Sequence, residues 1–366
     1  MSIKVEYRNE NNFKAFFERI AGKRVALLYD VNTAEYAKAL KKELEACGCA
    51  VADAYFSDEE LVPSEDKCEY AFEVAKNAEY VLAVGSGTLN DMAKSVATRR
   101  GVPSGVLATA ASMDGYCSKG AALMRGGFKV TDEVAAPEDI LIDLEIIRKA
   151  PAIMTAAGFG DIMGKFTCLA DWKMANAVKG EAIHEEAFAL MEKARGECTD
   201  AFEGLKKYQP EAVAKLMNAL ITAGISMAIC GNSRPASGSE HHISHFLEMD
   251  FVRRGERIPL HGLKVAIGTL MSIEIYQYIK RERISFRGAE RVYDIVDTLP
   301  DANDLRQMLV EMSCPVRFSE IGVRKETLEE TIEKAYTVRD RYTVLTLAHE
   351  LGITEKIKPI LMEKYW

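Results

Sequence analysis

The chain has 366 residues, which is too long for one ordinary core and suits two domains of typical size. It is 48% hydrophobic and 28% charged, a globular composition that excludes bulk disorder. The formal net charge of −8 excludes a protein that coats nucleic-acid duplexes, because such binding depends on Lys and Arg at the phosphates.

Three features of the sequence predict a cytoplasmic protein that does not associate with membranes. The longest mostly apolar segment, residues 216–230, is shorter than the ~20 residues that span a bilayer, so we predict a buried helix there. The first residues contain no apolar segment ahead of a small-residue cleavage site. The 8 cysteines include no CxxC pair and fit reduced thiols in a core.

Residues 1–150 alternate short β-rich segments with helical patterns, which is typical of a parallel α/β sheet. The predicted strands span residues 25–30, 49–56, 80–85, 104–109 and 140–145. The predicted helices span residues 34–46, 66–76 and 90–100, and a hairpin is predicted at residues 120–130. Residues 151–366 have long helical spacings and few β-rich segments, which predicts a second, all-helical domain with a boundary near Pro151.

A glycine turn, residues 84–91 with the sequence VGSGTLND, joins an apolar strand to a helix. Glycine lets the backbone approach a ligand closely and adopt positive φ, and the unpaired N–H groups of a helix start suit a pyrophosphate. A second polar turn, residues 109–112, follows the next strand, and an open α/β sheet binds its ligand where such strand ends meet. The GxGxxG spacing is absent, so plain strand–helix connections are an alternative, with Asp91 as an acid that complements the helix dipole.

Four of the 6 histidines lie between positions 241 and 261. His241 and His245 are four residues apart and share one face of a helix, and His242 and His245 also converge at a spacing of three. His261 stands at the predicted start of the next helix. A single histidine is more often a surface or core residue, but this clustering favours a metal or catalytic role.

A catalytic metal site needs about three protein ligands and one open position, so a carboxylate should complete the histidine group. The best candidate is Asp161, in the sequence AGFGD, at the predicted opening of the first long helix of the second domain. A helix N-cap is the alternative role for this aspartate.

These motifs, in this order, resemble the iron-containing alcohol dehydrogenase superfamily, and within it the sn-glycerol-1-phosphate dehydrogenases most. The matching segments are residues 84–94, 108–121, 149–167, 233–248 and 259–270. The sequences SMDGY and SGSEHHxSH are the specific ones, whereas the glycine turn is shared across the superfamily. Many members carry a third glycine where this chain has Ser86, which leaves the backbone N–H in place.

The resemblance implies a dehydroquinate synthase-like architecture. Residues 1–150 would form a Rossmann-like, dinucleotide-binding α/β domain, and residues 151–366 an all-α metal and substrate domain, with the active site in the cleft between them. It also implies NAD or NADP as cofactor and one divalent metal, usually zinc and in some bacterial members nickel.

The resemblance also carries functional positions onto this sequence. The metal ligands fall on Asp161, His241 and His261, although spacing alone leaves open whether His241 or His242 binds the metal. Positions of substrate contact and catalysis fall on Asp114 and His245. The cofactor-binding positions fall on Gly85, Ser86, Gly87, Thr88, Leu89, Thr109, Ala110, Ala111, Ser112 and Ser118.

The implied reaction is reversible hydride transfer between nicotinamide C4 and the central carbon of dihydroxyacetone phosphate, which gives sn-glycerol 1-phosphate. The metal would act as a Lewis acid, and His245 would position a hydroxyl or relay its proton. The expected partners are this small-molecule substrate and further copies of the chain in a homo-oligomer. The alternatives are a polyol dehydrogenase of the same superfamily, a dehydroquinate-synthase-like lyase, and a non-catalytic helical protein with incidental histidines.

Two further expectations concern phosphate groups. Asp58, Glu59 and Glu60 follow the second predicted strand, and acids there disfavour the 2′-phosphate of NADP, which favours NAD. Arg234, in a polar loop near the histidines, is either a partner of the substrate phosphate or a solvated loop arginine.

Overall fold

The computed structural model describes residues 3–126 and 128–366, so Met1, Ser2 and Gly127, which falls in the predicted hairpin, lie outside the described residues. The chain divides into two compact units. One comprises Met1–Ala111 and Gly115–Pro151, and the other comprises Ser112–Asp114 and Ala152–Trp366. The roles predicted for residues 1–150 and 151–366 stay predictions.

Strands occur in the first unit. In the described part of the chain they are β1 (Lys4–Tyr7), β2 (Arg24–Asp30), β3 (Ala50–Phe56), β4 (Tyr80–Gly85), β5 (Ser104–Ala108), β6 (Gly120–Arg125), β7 (Phe128–Glu133) and β8 (Asp139–Ile142). Six of these described strands form one parallel sheet in the order β1-β8-β5-β4-β2-β3, and β6 and β7 pair antiparallel.

The order of the parallel sheet places its topological switch point beside β2. The chain leaves β2 to form β3 on one side and then returns to form β4 on the other side. Open α/β sheets bind ligands at the carboxyl ends of the strands at such a point. The turn that follows β4 is therefore where a ligand of this sheet is expected.

The helices of the first unit surround this sheet. They are α1 (Arg8–Asn11), α2 (Lys14–Ile20), α3 (Ala34–Ala46), α4 (Glu65–Val74), α5 (Gly87–Arg100) and α6 (Leu144–Ile147). The central strand β4 is buried at every position, as expected for a parallel strand covered on both faces. The edge strand β3 alternates between exposed and less exposed positions, and side chains such as Phe16, Leu27 and Leu82 form the core.

The second unit is helical. Its helices are α7 (Ala152–Met163), α8 (Lys165–Lys179), α9 (Glu185–Asp200), α10 (Phe202–Leu205), α11 (Pro210–Cys230), α12 (Ser239–Arg254), α13 (His261–Arg281), α14 (Ala289–Asp297), α15 (Ala302–Glu311), α16 (Lys325–Lys334), α17 (Val344–Glu350) and α18 (Thr354–Tyr365). Short 3₁₀ turns cover residues 75–77, 115–117, 318–321 and 335–337 of the chain.

The predicted fold class, a parallel α/β sheet followed by an all-helical region, is confirmed. The predicted elements differ from the observed ones mainly at their ends, since α5 begins at Gly87 rather than at residue 90. Strand β1 was not predicted: its sequence KVEY alternates polar and apolar residues over only 4 positions, and it pairs with β8 alone at one edge of the sheet.

Helix α11 is longer than the apolar segment from which it was predicted. It begins at Pro210, in the first helical turn where proline is favoured, and its 21 residues are long and apolar enough by composition to cross a membrane. The apolar helix is therefore not too short to span a bilayer, contrary to the prediction from residues 216–230. Half of the most apolar stretch of α11 is buried inside the structure, and α11 packs along α9. Both features are also typical of a core helix.

Candidate active site

The glycine turn connects β4 to α5, with Ser86 at the N-cap position. The N–H groups of the first turn, including those of Gly87, Thr88 and Leu89, have no acceptor within the helix and lie at the positive end of its dipole. Gly85 and Gly87 do not have positive φ, so that expectation is wrong. Gly85 is needed for space, since a Cβ there would lie 2.8 Å from Cβ of Leu89.

Asp91 does not complement the dipole in the first turn, because the helix starts at Gly87. Its carboxylate pairs with Lys94 at 2.8 Å and accepts a hydrogen bond from the N–H of Ala122 at 2.9 Å. The fully buried Lys94 also donates to the carbonyl of Gly120 at 2.6 Å. This acid and this lysine therefore fasten the start of β6 to α5.

The second predicted cofactor segment lies against the glycine turn. The N–H of Thr109 donates to the carbonyl of Gly85 at 3.1 Å, and the hydroxyl of Tyr116 donates to the carbonyl of Ala110 at 2.6 Å. Lys94 donates to the hydroxyl of Ser118 at 3.3 Å. The first unit thus brings Gly85–Leu89, Thr109–Ala111 and Ser118 together, whereas the buried Ser112 belongs to the second unit.

Three predicted metal ligands converge from three helices of the second unit. Asp161 lies on α7, His241 on α12, and His261 is the first residue of α13. One potential ligand atom of each residue lies within 4.8 Å of those of the other two. Nε2 of His241 is 3.9 Å from Oδ1 of Asp161, and the rings of His241 and His261 are 5.0 Å apart between centroids.

His241 offers its Nε2 atom because its other ring nitrogen is occupied. Nδ1 lies 2.7 Å from Oε1 of Glu240, and the hydrogen bond to this carboxylate assigns the proton to Nδ1. Glu240 is itself held by the N–H of Gly238 at 2.6 Å and by the hydroxyl of Thr167 at 2.6 Å. Burial and the nearby Lys165 hold the pKa of His241 well below its ordinary value, so the imidazole is neutral, the form that binds metals.

The neighbouring His242 does not join this group. It is 1% exposed, and neither of its ring nitrogens has a hydrogen-bond partner in the described part of the chain. Successive residues of a helix point in different directions, so only one of the paired histidines faces Asp161. The geometry therefore brings His241, and not His242, next to Asp161 and His261.

Asp161 lies in the last turn of α7, so its prediction as a residue at the helix opening, and the N-cap alternative, are both wrong. A buried carboxylate near a helix C-terminus is unfavourable, since that end of the dipole is negative. Lys165 offsets this cost, with Nζ 3.1 Å from Oδ1 of Asp161 and 2.6 Å from Oδ2 of Asp114. The backbone N–H of Asp114 also donates to Asp161 at 3.0 Å.

Lys165 keeps its charge in this site. Burial lowers its pKa, but the carboxylates of Asp114 and Asp161 outweigh burial and raise the pKa above its ordinary value. Burial and the charge of Asp161 raise the pKa of Asp114. The carboxylates of Asp114 and Asp161 face the single ammonium of Lys165, so this cluster carries a net negative charge. An Asp161 oxygen together with the imidazoles of His241 and His261 is a set of ligand atoms typical of divalent transition metals. The residues present therefore fit such an ion.

His245 lies beside the group of three ligands rather than within it. Its ring centroid is 6.1 Å from that of His241 and 6.0 Å from that of His261. Its Nδ1 atom is 3.2 Å from Nη2 of Arg339. His245 and Asp114 thus both lie next to the predicted metal ligands. His245 contacts Arg339, and Asp114 contacts Lys165.

Comparison with known proteins places this site in a family. A family model described as iron-containing alcohol dehydrogenase matches residues 5–151. A glycerol-1-phosphate dehydrogenase (NAD(P)+) of Bacillus licheniformis is 35% identical over 336 residues, which cover 92% of this chain and 81% of that protein. The chain belongs to the glycerol-1-phosphate dehydrogenase family. The protein of the same name from Pyrococcus furiosus is 31% identical over 331 residues, covering 88% of this chain and 85% of its own.

Solved structures share the fold at lower identity. A probable glycerol dehydrogenase from Sinorhizobium meliloti superposes with a TM-score of 0.69 at 18% identity, with 98% of each chain covered. An NADH-dependent butanol dehydrogenase from Thermotoga maritima gives 0.70 at 16% identity, covering 100% of this chain and 97% of its own. The resemblance to glycerol-1-phosphate dehydrogenases predicted from the sequence is confirmed, and so is the oxidoreductase superfamily.

Two residues of the site in this glycerol-1-phosphate dehydrogenase family member, Lys165 and Glu240, were not predicted from the sequence. Lys165 follows Asp161 by four residues, a spacing that pairs opposite charges on one helical face, but here the pairing continues across the start of α8. Glu240 directly precedes His241, and adjacent helix residues are not expected to face each other. The bond forms because Glu240 is at the first turn of α12, where it also accepts from Gly238.

Proposed function

We propose that this chain is a metal-dependent, NAD(P)-dependent oxidoreductase that interconverts dihydroxyacetone phosphate and sn-glycerol 1-phosphate. The observation that carries the proposal is the convergence of Asp161, His241 and His261 in a chain 35% identical to a glycerol-1-phosphate dehydrogenase. Asp161, His241 and His261 would hold one divalent ion, proposed to be zinc with nickel as the alternative, which when bound supplies Lewis acidity at the substrate oxygen.

The chain's own residues would orient and position the reactants. Glu240 keeps the lone pair of His241 Nε2 directed at the metal position, and Lys165 keeps Asp114 and Asp161 in place. His245, beside this group, would hold or move the proton of the substrate hydroxyl. A bound nicotinamide cofactor supplies the hydride.

The cofactor would bind through the first turn of α5 and the segment 109–112, with Ser118 nearby. NAD is the proposed form, because Asp58, Glu59 and Glu60 follow β3, the edge strand that pairs with β2. Asp58 forms an ion pair with Lys67 at 2.7 Å, which balances part of the negative charge of this segment. We also propose a cytoplasmic homo-oligomer.

The decisive experiment compares two ketones that differ only in the phosphate. With NADH and a divalent metal, kcat/KM for dihydroxyacetone phosphate should exceed that for dihydroxyacetone by at least ~100-fold, because two unpaired polar groups in a phosphate pocket cost ~1–3 kcal/mol each. The product should be the sn-1 isomer. Comparable rates on both ketones, or faster oxidation of glycerol than of glycerol 1-phosphate, would favour a polyol dehydrogenase instead.

A further inference from the structure

Two arginines converge on one serine near the predicted metal ligands. In the segment between α16 and α17, Arg341 donates from Nη2 to the hydroxyl of Ser233 at 3.0 Å and from Nη1 to the carbonyl of Ser237 at 2.5 Å. Arg339 donates from Nη1 to the same hydroxyl of Ser233 at 3.3 Å, and its Nη2 is 3.2 Å from Nδ1 of His245. The two guanidiniums therefore lie side by side in the second unit.

These two charges lack a close counter-charge. Neither arginine forms an ion pair with a carboxylate of the described residues, and Glu248 attracts Arg339 only at longer range. Burial together with repulsion from Arg234 and Arg339 lowers the pKa of Arg341 to about 10. Arg341 is half-buried and Arg339 is exposed, and a half-buried cation beside a second one is normally paired with an anion.

A third arginine nearby, Arg234, differs from Arg339 and Arg341 because its charge is paired. It is 2% exposed, so it is not the solvated loop arginine that the sequence left open, and its guanidinium makes two hydrogen bonds of 2.9 Å to Glu181. Its Nη2 also donates to the carbonyl of Tyr342 at 3.0 Å. Arg234 therefore anchors the segment that carries Arg341, and its own charge is balanced.

Buried polar atoms beside the arginines also lack partners. Both ring nitrogens of His242 and the hydroxyl of Ser237 are buried without a hydrogen-bond partner among the described residues. Buried polar groups are normally satisfied, and orphaned ones next to excess positive charge indicate a missing anion.

We propose that Arg339 and Arg341, with the hydroxyls of Ser233 and Ser237 nearby, bind the phosphate group of a phosphomonoester substrate. The inference rests on the proposed function and adds the residues that distinguish a phosphorylated ketone from a free one. Guanidinium forks match phosphate oxygens in geometry and charge. Because Arg339 contacts His245, the phosphate subsite lies one side chain away from the predicted metal ligands, a span that suits a three-carbon keto phosphate.

The first test measures discrimination rather than activity alone. In R339Q and R341Q, the ratio of kcat/KM for dihydroxyacetone phosphate to that for dihydroxyacetone should fall roughly 10- to 100-fold, since each loses a charge-assisted hydrogen bond. R341K, which keeps the charge but not the fork, should give an intermediate ratio. The control R291Q removes an exposed arginine bonded to Asn176 and should leave the ratio unchanged.

A second test separates this inference from the proposed function. Titration of the wild-type protein with inorganic phosphate in a calorimeter should show binding that R341Q weakens by about tenfold or more and R291Q does not. That result would support the subsite even if dihydroxyacetone phosphate were not reduced, in which case only the proposed reaction would fail.

Three outcomes would overturn the subsite. Unchanged discrimination and unchanged phosphate affinity in both R339Q and R341Q would do so directly. Equal losses on both ketones, together with a lower unfolding temperature, would indicate that the arginines only tie residues 231–238 to residues 338–343. A weaker affinity for NADH without a change in discrimination would assign the arginines to a phosphate of the cofactor.

Discussion

Glu240 decides which nitrogen of His241 can bind a metal, although it is itself out of reach as a ligand. The carboxylate accepts a hydrogen bond from the Nδ1–H of His241 and is in turn fixed by Gly238 and Thr167. Carboxylates that hold a ligating histidine in this way orient the ring and raise its basicity. Much of the affinity of the site is therefore expected to depend on this glutamate.

The substitution Glu240→Gln should weaken metal binding about 10- to 100-fold, because the histidine loses its charged acceptor. Affinity is measured by competition with a chelating dye. Thr167→Val, which removes the hydroxyl that bonds the other carboxylate oxygen and the carbonyl of Gly164, should cause a smaller loss. If E240Q bound metal as tightly as the wild type, the glutamate would be a packing residue.

Replacing Asp161, His241 or His261 with Ala should remove the metal and abolish turnover while the chain stays folded, as measured by elemental analysis and circular dichroism. Each of these substitutions removes one of the three proposed protein ligands of the metal. The matched control is His242→Ala, the next residue on the same helix, which should retain the metal. Loss of metal in H242A but not in H241A would show that the register is wrong.

At the residue level, the sequence predicted the three side chains that converge, Asp161, His241 and His261, but not the residues that hold them in place. Clustered histidines and a carboxylate indicated a metal site, but the position of Asp161 at the end of α7 depends on Lys165 and on the loop of Asp114, which are distant in sequence or on another helix. Side-chain pairing of this kind is set by tertiary packing, and no local pattern encodes it.

At the scale of elements, the start of α5 matters most for the proposed cofactor site. The helix begins at Gly87, so three of the residues predicted to contact the cofactor, Gly87, Thr88 and Leu89, are themselves in the first helical turn. Buried strands such as β4 were predictable because continuous apolar segments mark them. The first residue of a helix is harder to predict from one sequence, because it depends on capping interactions.

Gly87→Val should raise the Kd for NADH about a hundredfold or more, because a branched side chain would block the approach of the pyrophosphate to the backbone. Calorimetry measures this affinity. Gly196→Val, a glycine within α9 whose Cβ would meet nothing within 4 Å, is the matched control and should bind NADH normally. Equal affinity in G87V and the wild type would remove the nucleotide role of this turn.

At the scale of the whole molecule, the predicted cofactor residues lie almost entirely in the first unit and the predicted metal ligands in the second. Removal of the metal with a chelator should therefore abolish turnover while the Kd for NADH, followed by fluorescence titration, changes less than threefold or so. Added divalent metal should restore the activity. Loss of NADH binding together with the metal would show that the two sites depend on each other.

The assignment of Ser112–Asp114 to the second unit has a consequence for synthesis of the protein. The amide of Asp114 binds the carboxylate of Asp161, which leaves the ribosome 47 residues later. Nascent chains generally fold from the N-terminus as each domain is completed. The loop that bears Asp114 must then wait, after the strands on either side of it have emerged, until translation has passed α7.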